Sequence, residues 1–581
     1  MNFKKLLVAA LPAMLLASCA SDEPGVNTGG ESTKGGFYAT IKLDVPGSRS
    51  ETLPQPGENT NSNAGYEIGK PYENNIKNLT VVLATLENGV YKAQTYGTYT
   101  SNNVAADPKK DNVYTIQFQD TLIAELAGKN VYVFAYCNTN LNTSNFQAGQ
   151  DLNTMEHTIS SEATGQGIWE KSNFMMVNAP NRDVPTKNLT NVTKNELLNN
   201  FNSPEKALNL GTVDVARTAA RFDYKPVNNN LYNIVDVNST DDPKAVVAQV
   251  EMVAMAPFNI AKDFYMLPRV SDDGTDNGWK ICGDEYFNNA TRVGNYVVSP
   301  NFAEKKANSI ANLAGNYFQA LSGLATYSAL TQWANINEWY NAADTDDDND
   351  ENWNATDKEG YKIWRYVTEN TIPQVDHQRK GITTGVVFKG RITNPAEGSL
   401  MAEAMNAGDA IYFYNGVCYG NIKNLRRVVA NLDENATMRQ KFEQVFAGKE
   451  YLVFTKAADG TRDYRVKDDA LKDATPAENN SIFKIIRPND EDGNYYVYYV
   501  YYNRHNDNGN SNMMGIMEFA TVRNNVYKLS VTKVSDFGHT NDPKDDPDPE
   551  KPDQPDETPK TYFQVSCRVL PWIVRINPVE F

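Results

Sequence analysis

The sequence predicts an all-β, mainly antiparallel fold on three observations. Short runs rich in Val, Ile, Tyr and Phe recur along the chain, Asn/Asp/Gly turns separate them, and alternation of strand with helix is scarce. Strands are expected at residues 37–45, 79–86, 113–118, 131–137, 245–255, 385–392, 411–414, 481–486, 495–502 and 526–534. The two runs 482–487 and 495–502 flank Pro488-Asn-Asp-Glu-Asp-Gly493, a strong hairpin signal. Residues 307–337 carry no charge, but Asn and Gln recur among them, so this stretch reads as a non-membrane helix with Ile310, Leu313, Tyr317, Leu321, Leu324 and Leu330 on one face. The expected architecture is two β-sandwich domains with a helical insertion in the second, divided near residue 210 behind an Asn-rich stretch.

The 581 residues allow two to four domains at ~150 residues each. Hydrophobic residues at 40% and charged residues at 22% suffice for sizeable cores and exclude wholesale disorder. A net charge of -17 leaves no cationic excess for the phosphate backbone, so no nucleic-acid partner is expected. Five Cys exclude a disulfide-dense scaffold, and four His make a multi-histidine metal site a poor reading.

The N-terminus reads as a processing signal. Lys4 and Lys5 precede an apolar run from Leu6 to Ala17 that is too short to remain as a membrane span. It ends in Leu16-Ala-Ser-Cys19, which looks like a bacterial lipobox, with Cys19 as the lipidation site. Residues 1–18 are then the signal peptide and 19–36 a polar tether. The next segment alternates strictly. Phe37, Ala39, Ile41, Leu43 and Val45 lie on one face, and a Pro-Gly-Ser-Arg49-Ser50 loop follows, of the kind where proteases cut.

The C-terminus is equally distinctive. Residues 541–560 hold six Pro and eight acidic residues, an extended and self-repelling linker. Beyond it Phe563, Val565, Cys567 and Val569 share one phase; Pro571 interrupts, and Trp572, Val574 and Ile576 take the other. From the residues alone this tail is either the last strand of its own domain or a strand offered to another chain.

Catalytic patterns are absent: there is no His-Glu-x-x-His, Gly-x-Ser-x-Gly or Walker A sequence. His157, His377, His505 and His539 read as surface or turn residues, and Cys137 and Cys567 as small core hydrophobes. Cys282 and Cys418 show no metal-binding spacing, and disulfide pairing stays open. Asp344, Asp346 and Asp348 match the first EF-hand positions, but Asn349 and Ala355 break the pattern, which leaves a solvated acidic loop. No enzyme, cofactor or metal is expected.

Several patches resemble the fimbrillins of Bacteroidales, the lipoprotein-derived pilins of type V pili, and most closely the minor-fimbrium (Mfa-type) major stalk subunit. They are the lipobox at Cys19, the strand ending near Arg49, and residues 129–138 and 215–222. Thr368-Glu-Asn-Thr371 with Thr384-Gly-Val-Val-Phe-Lys-Gly390 forms another. The most specific are Val522-Arg-Asn-Asn-Val-Tyr527, continuing to Val534, and Val569-Leu-Pro-Trp-Ile-Val574. The resemblance implies a structural pilin that assembles by strand exchange. An Arg-specific protease cuts after Arg49, the strand at 37–49 leaves the N-terminal sandwich (50–209), and the tail at 561–581 of a neighbour, tethered to the C-terminal sandwich (210–537) by the 538–560 linker, fills the groove. Implied partners are copies of the chain, accessory tip and anchor fimbrial subunits, the protease, and host or bacterial surface receptors. The implied location is the outer membrane for the lipoprotein precursor and then the extracellular fimbrium, with adhesion and biofilm formation as its role. The alternative reading is a monomeric surface lipoprotein that binds glycan or host protein through aromatic loops.

Overall fold

The computed structural model describes residues 36–44, 67–100, 112–119, 125–139, 148–158, 169–170, 173–180, 183–236, 238–271, 278–283, 296–300, 317–318, 333–342, 356–357, 359–372, 382–433, 435–447, 452–456, 462–466, 482–505, 517–540 and 563–573. The chain is all-β in class and mainly antiparallel. Its first strands are β1 (Gly36–Asp44), β2 (Glu67–Ile68), β3 (Asn78–Glu87), β4 (Val90–Thr100), β5 (Val113–Gln119), β6 (Asn130–Cys137), β7 (Met176–Asn178), β8 (Thr186–Asn188) and β9 (Leu208–Arg217). All except β2 form an eight-stranded sheet in the order β7-β9-β1-β5-β4-β3-β6-β8. Because β7 also pairs with β6, seven of these strands close into a ring, with β8 outside it on β6. Such closure removes free sheet edges. The ring encloses a core that includes Phe37, Ile41, Leu43, Leu83, Ile116, Val133 and Val213.

The opposite faces of β3 and β6 are buried too. Val82, Ala84, Phe134 and Tyr136 join a second and larger core, which explains why β3 reads as a nearly continuous apolar run rather than an alternating one. At Thr218 the chain passes from β9 into β10 (Ala219–Tyr224). The stretch 215–222, which resembles one opening strand, is therefore two strands in two sheets.

The remaining principal strands are β11 (Leu231–Val235), β12 (Val246–Phe258), β13 (Lys362–Thr368), β14 (Gly385–Thr393), β15 (Ile411–Tyr414), β16 (Val417–Gly420), β17 (Lys484–Ile486), β18 (Tyr496–Tyr502), β19 (Asn525–Val534) and β20 (Phe563–Ile573). One five-stranded sheet runs β2-β20-β19-β10-β13, and another is built on β11-β12-β14-β18. Tyr224, Tyr527 and Val531 of the first share a core with Tyr232, Val250 and Phe388 of the second. The Tyr232 hydroxyl donates to the Val531 carbonyl across it at 2.9 Å.

Two local expectations change. The turn at 488–495 closes, with Asn489 N–H on the Asn494 carbonyl at 2.7 Å and a bridge between Pro488 and Tyr495. Its flanking runs nevertheless separate: β17 pairs with β15 and β18 with β14, so no hairpin forms. Packing on two different partners outweighs the local turn signal. The helix expected over 307–337 is also interrupted. Tyr317–Phe318 pairs with Ile260–Ala261, Ala334–Asn335 pairs with β12, and only Ile336–Asn341 is helical there; most of the rest lies outside the described residues. Helices of the second half stand instead at Leu400–Ala407, Ile422–Ala430 and Thr437–Ala447, between β14 and β17.

Candidate functional site

Strand β1 lies inside the eight-stranded sheet. It runs antiparallel to β5, from Gly36 opposite Gln119 to Lys42 opposite Val113, and parallel to β9, from Ala39 opposite Leu208 to Asp44 opposite Asp214. Further bonds hold it at both ends: Tyr38 N–H to the Phe201 carbonyl at 2.7 Å and Leu43 N–H to the Asn112 carbonyl at 3.0 Å. Phe37, Ala39, Ile41 and Leu43 are each 0% exposed, and Phe37 stacks on Phe118 at 5.0 Å. Lys42, on the opposite face, is exposed. The alternation read from sequence therefore matches one buried face. Val45, Arg49 and Ser50 lie outside the described residues, as does Cys19.

The tail forms β20. In this single chain it pairs antiparallel along nearly all of β19, from Phe563 opposite Val534 to Pro571 opposite Asn525. On its other side β2 pairs parallel to it, Glu67 opposite Trp572 and Ile68 opposite Ile573. Val565 is half-buried against the larger core. Phe563, Cys567, Val569 and Trp572 take register positions along the strand, while Val574 and Ile576 lie outside the described residues.

Beneath these strands, the motifs that carried the resemblance meet. Arg523 and Glu369 are both 0% exposed and form a two-pronged pair, Nε to Oε2 at 2.8 Å and Nη2 to Oε1 at 3.0 Å. The same guanidinium donates to the carbonyls of Met266 and Tyr265. Asn370 donates to the Ile382 carbonyl and to Thr384 Oγ1, and its backbone bridges to Thr521. Arg217 donates to Asn524 Oδ1 and to the Glu73 carbonyl; burial lowers its pKa to about 10. Arg221 is held by Asp223 at 2.7 Å, Glu73 at 3.1 Å and Glu67 at 3.0 Å. Burial alone would lower the Arg221 pKa, but Asp223 and Glu73 raise it well above its ordinary value. Tyr366 also donates to Glu73, at 2.6 Å. Glu67, Glu73 and Lys528 had no sequence signal. A charged residue inside an apolar strand, as at Arg217 and Arg221, is the one available clue that a buried partner exists.

Other sequence readings sort as follows. Cys137 is buried in the first core, Cys282 is buried, Cys418 is half-buried, and all three are free thiols. His505 overturns the surface reading: it is 8% exposed, with Nδ1 2.9 Å from the Tyr527 hydroxyl. The local pattern could not show this, because the burial comes from β19. Asp344, Asp346, Asp348, Asn349, Ala355 and His377 lie outside the described residues. Among the described residues there is no cluster suited to a metal ion, and no helix is long and apolar enough to cross a membrane.

The architecture is all-β, with its first described strand buried within one sheet and its last described strand lying on another. Residues 493–577, which include β18, β19 and β20, match the family described as major fimbrial subunit protein type IV, fimbrillin, C-terminal. That family is structural, not enzymatic. No curated protein sequence matches the chain. Similar solved structures include a putative cell adhesion protein from Parabacteroides distasonis, at 10% identity and TM-score 0.37, covering 93% of this chain and 98% of that one. A fimbrilin from Porphyromonas gingivalis is 13% identical at TM-score 0.35, covering 93% and 99%. The tip fimbrial protein Mfa3 from Porphyromonas gingivalis is 8% identical at TM-score 0.28, covering 92% and 100%.

Proposed function

We propose that this fimbrial subunit is the stalk pilin of a type V fimbria, of the minor-fimbrium kind, and that it polymerises by protease-triggered strand exchange. One observation carries the reading. The first described strand of the chain is fully buried on one face between β9 and β5, yet it is joined to the rest only through the 45–66 segment that contains Arg49. Cutting after Arg49 leaves β1 attached by noncovalent contacts alone. Its departure opens a slot with an unpaired ladder on each side, where β1 itself ran parallel to β9 and antiparallel to β5. The tail suits that slot: Phe563, Val565, Cys567 and Val569 repeat the period-two spacing of Phe37, Ala39, Ile41 and Leu43. Addition of a neighbour's strand is a known mode of backbone recognition. Repeated head to tail it does not close, and so it builds a filament.

In this reading the precursor is lipidated at Cys19 and reaches the outer membrane before processing. The two sandwiches divide near residue 210, and the 538–560 linker lets the tail leave β19 for a neighbour. The finished fimbrium is extracellular, carries accessory tip and anchor subunits, and supports adhesion to host or bacterial receptors and biofilm formation. N-terminal sequencing of purified fibres tests the proposal: the subunit starts at Ser50, and Arg49→Ala abolishes fibres while leaving the precursor folded. Fibres whose subunits retain residues 37–44 would contradict it. Cys19→Ala is expected to block acylation and surface delivery, as radiolabelled-lipid incorporation would show.

A further inference from the structure

The tail strand has a partner on each side, and the outer partner is held by charge. With only Glu67 and Ile68, β2 contributes little as a ladder. Its Glu67 carboxylate, however, reaches two cations on strands beyond β20: Oε2 lies 2.7 Å from Lys528 Nζ on β19, and Oε1 lies 3.0 Å from Arg221 Nη2 on β10. The sheet order is β2-β20-β19-β10, so this side chain spans the tail strand to reach both. The Arg221 and Lys528 side chains are only 1% and 4% exposed. Removing the carboxylate from cations so enclosed leaves buried charge uncompensated, which is far more costly than breaking a surface pair.

The segment is also fixed behind Glu67. Glu73 is buried against Arg221 and Tyr366, its own carbonyl accepts from Arg217 Nε, and its carboxylate accepts the Lys70 N–H at 2.6 Å. On the tail itself, Arg568 sits opposite Lys528 in register. The positive charge of the buried Lys528 is offset by Glu67, Asp357 at 2.6 Å and Glu359 at 3.7 Å. Loss of Glu67 removes one of the anions that offset the buried Lys528, and it unfastens β2 in the same step.

We propose that residues 67–73 form a latch that keeps the tail strand on its own subunit, and that the Glu67 carboxylate is its catch. This rests on the reading of the tail as the strand donated during assembly. The catch holds the tail in place against premature transfer, and its position downstream of Arg49 means that cleavage leaves the latch with the mature subunit.

Hydrogen exchange followed by mass spectrometry on the full chain tests the latch without assembly. In Glu67→Gln the amides of 563–573 are expected to exchange at least tenfold faster than in the parent, while those of β13 and β14 keep their rates. Lys528→Gln, which removes one arm of the catch, is expected to accelerate the same peptide. Unchanged exchange at 563–573 in Glu67→Gln overturns the proposal. So does equal acceleration throughout β10 and β13, which would make Glu67 a general support of the sheet. If Glu67→Gln yields no folded protein, Glu67→Asp, which keeps the charge on a shorter arm, carries the same comparison. Fibre formation by a chain lacking 561–581 separates the two readings. A fast-exchanging tail with fibres still formed without it supports the latch and defeats strand donation; a slow tail defeats the latch whatever the fibres do.

Discussion

Removal of β1 is the perturbation with the largest calculable effect. A chain beginning at Ser50 lacks Phe37, Ile41 and Leu43, each 0% exposed in the intact protein. Full burial of such side chains is worth ~1.5–3 kcal/mol each, or about 4.5–9 kcal/mol together. Domains typically retain a net ~5–15 kcal/mol, so most of the first sheet's margin is lost. The ladders to β5 and β9 go with it. At roughly 2–4 °C per kcal/mol for a domain of this size, the melting transition of the first sheet falls by on the order of 10–30 °C. Scanning calorimetry compares the chain from Ser50 with the chain from residue 20, each with and without an added 561–581 peptide. The expected result is a low transition for the chain from Ser50 that the peptide raises again, whereas the longer chain ignores the peptide. A 36–49 peptide serves as positive control, since it restores the original strand. If the shortened chain melts within a few degrees of the longer one, the account of β1 as a removable core strand is wrong. If the 36–49 peptide restores stability but the tail peptide does not, the slot is real and the donor has been misassigned.

Three further outcomes are expected. Glu369→Gln leaves the Arg523 guanidinium buried without its anion, so urea denaturation should show a loss of about 3–5 kcal/mol; a loss under ~1 kcal/mol would show that the carbonyls of Met266 and Tyr265 suffice. Tyr527 accepts the Val522 N–H at 2.8 Å and so directs its own proton to His505 Nδ1, which fits a neutral ring. Burial lowers the His505 pKa from 6.5 to about 4, so below pH 6.5 the unfolded chain binds a proton that the folded chain refuses. Stability from this site is full above pH 6.5 and is lost as pH falls toward 4, by about 3 kcal/mol at ~1.4 kcal/mol per unit. The difference in unfolding free energy between the parent and His505→Gln should trace that slope, and parallel pH profiles would refute it. Deleting 561–581 strips one ladder from β19 but leaves β10, β13 and the larger core, so the monomer should stay soluble and cooperative, melt several degrees lower, and form no fibres; aggregation of the monomer, or fibres that still assemble, would defeat this expectation.

Strand chemistry by itself determined the β class and most strand positions, because period-two burial is written in consecutive residues. Residues 36–44 show this best: every second side chain is apolar, and each described one is buried. The strand character of the tail was also legible: the alternating apolar run from Phe563 forms a strand over Phe563–Ile573. What sequence could not decide was partnership. The 482–487 and 495–502 runs share a closed turn yet join different sheets, because their pairing is set by β15 and β14, strands far back in the chain. Likewise Glu67 and Lys528 carry no signal in the chain, and Arg221 shows only that a partner must exist; the three meet only where β2 and β19 flank the tail and β10 lies beyond β19. A buried charge is tolerable only with its counter-charge in place, and that placement belongs to the tertiary fold: local periodicity records which side of a strand faces inward, not which distant residue waits there.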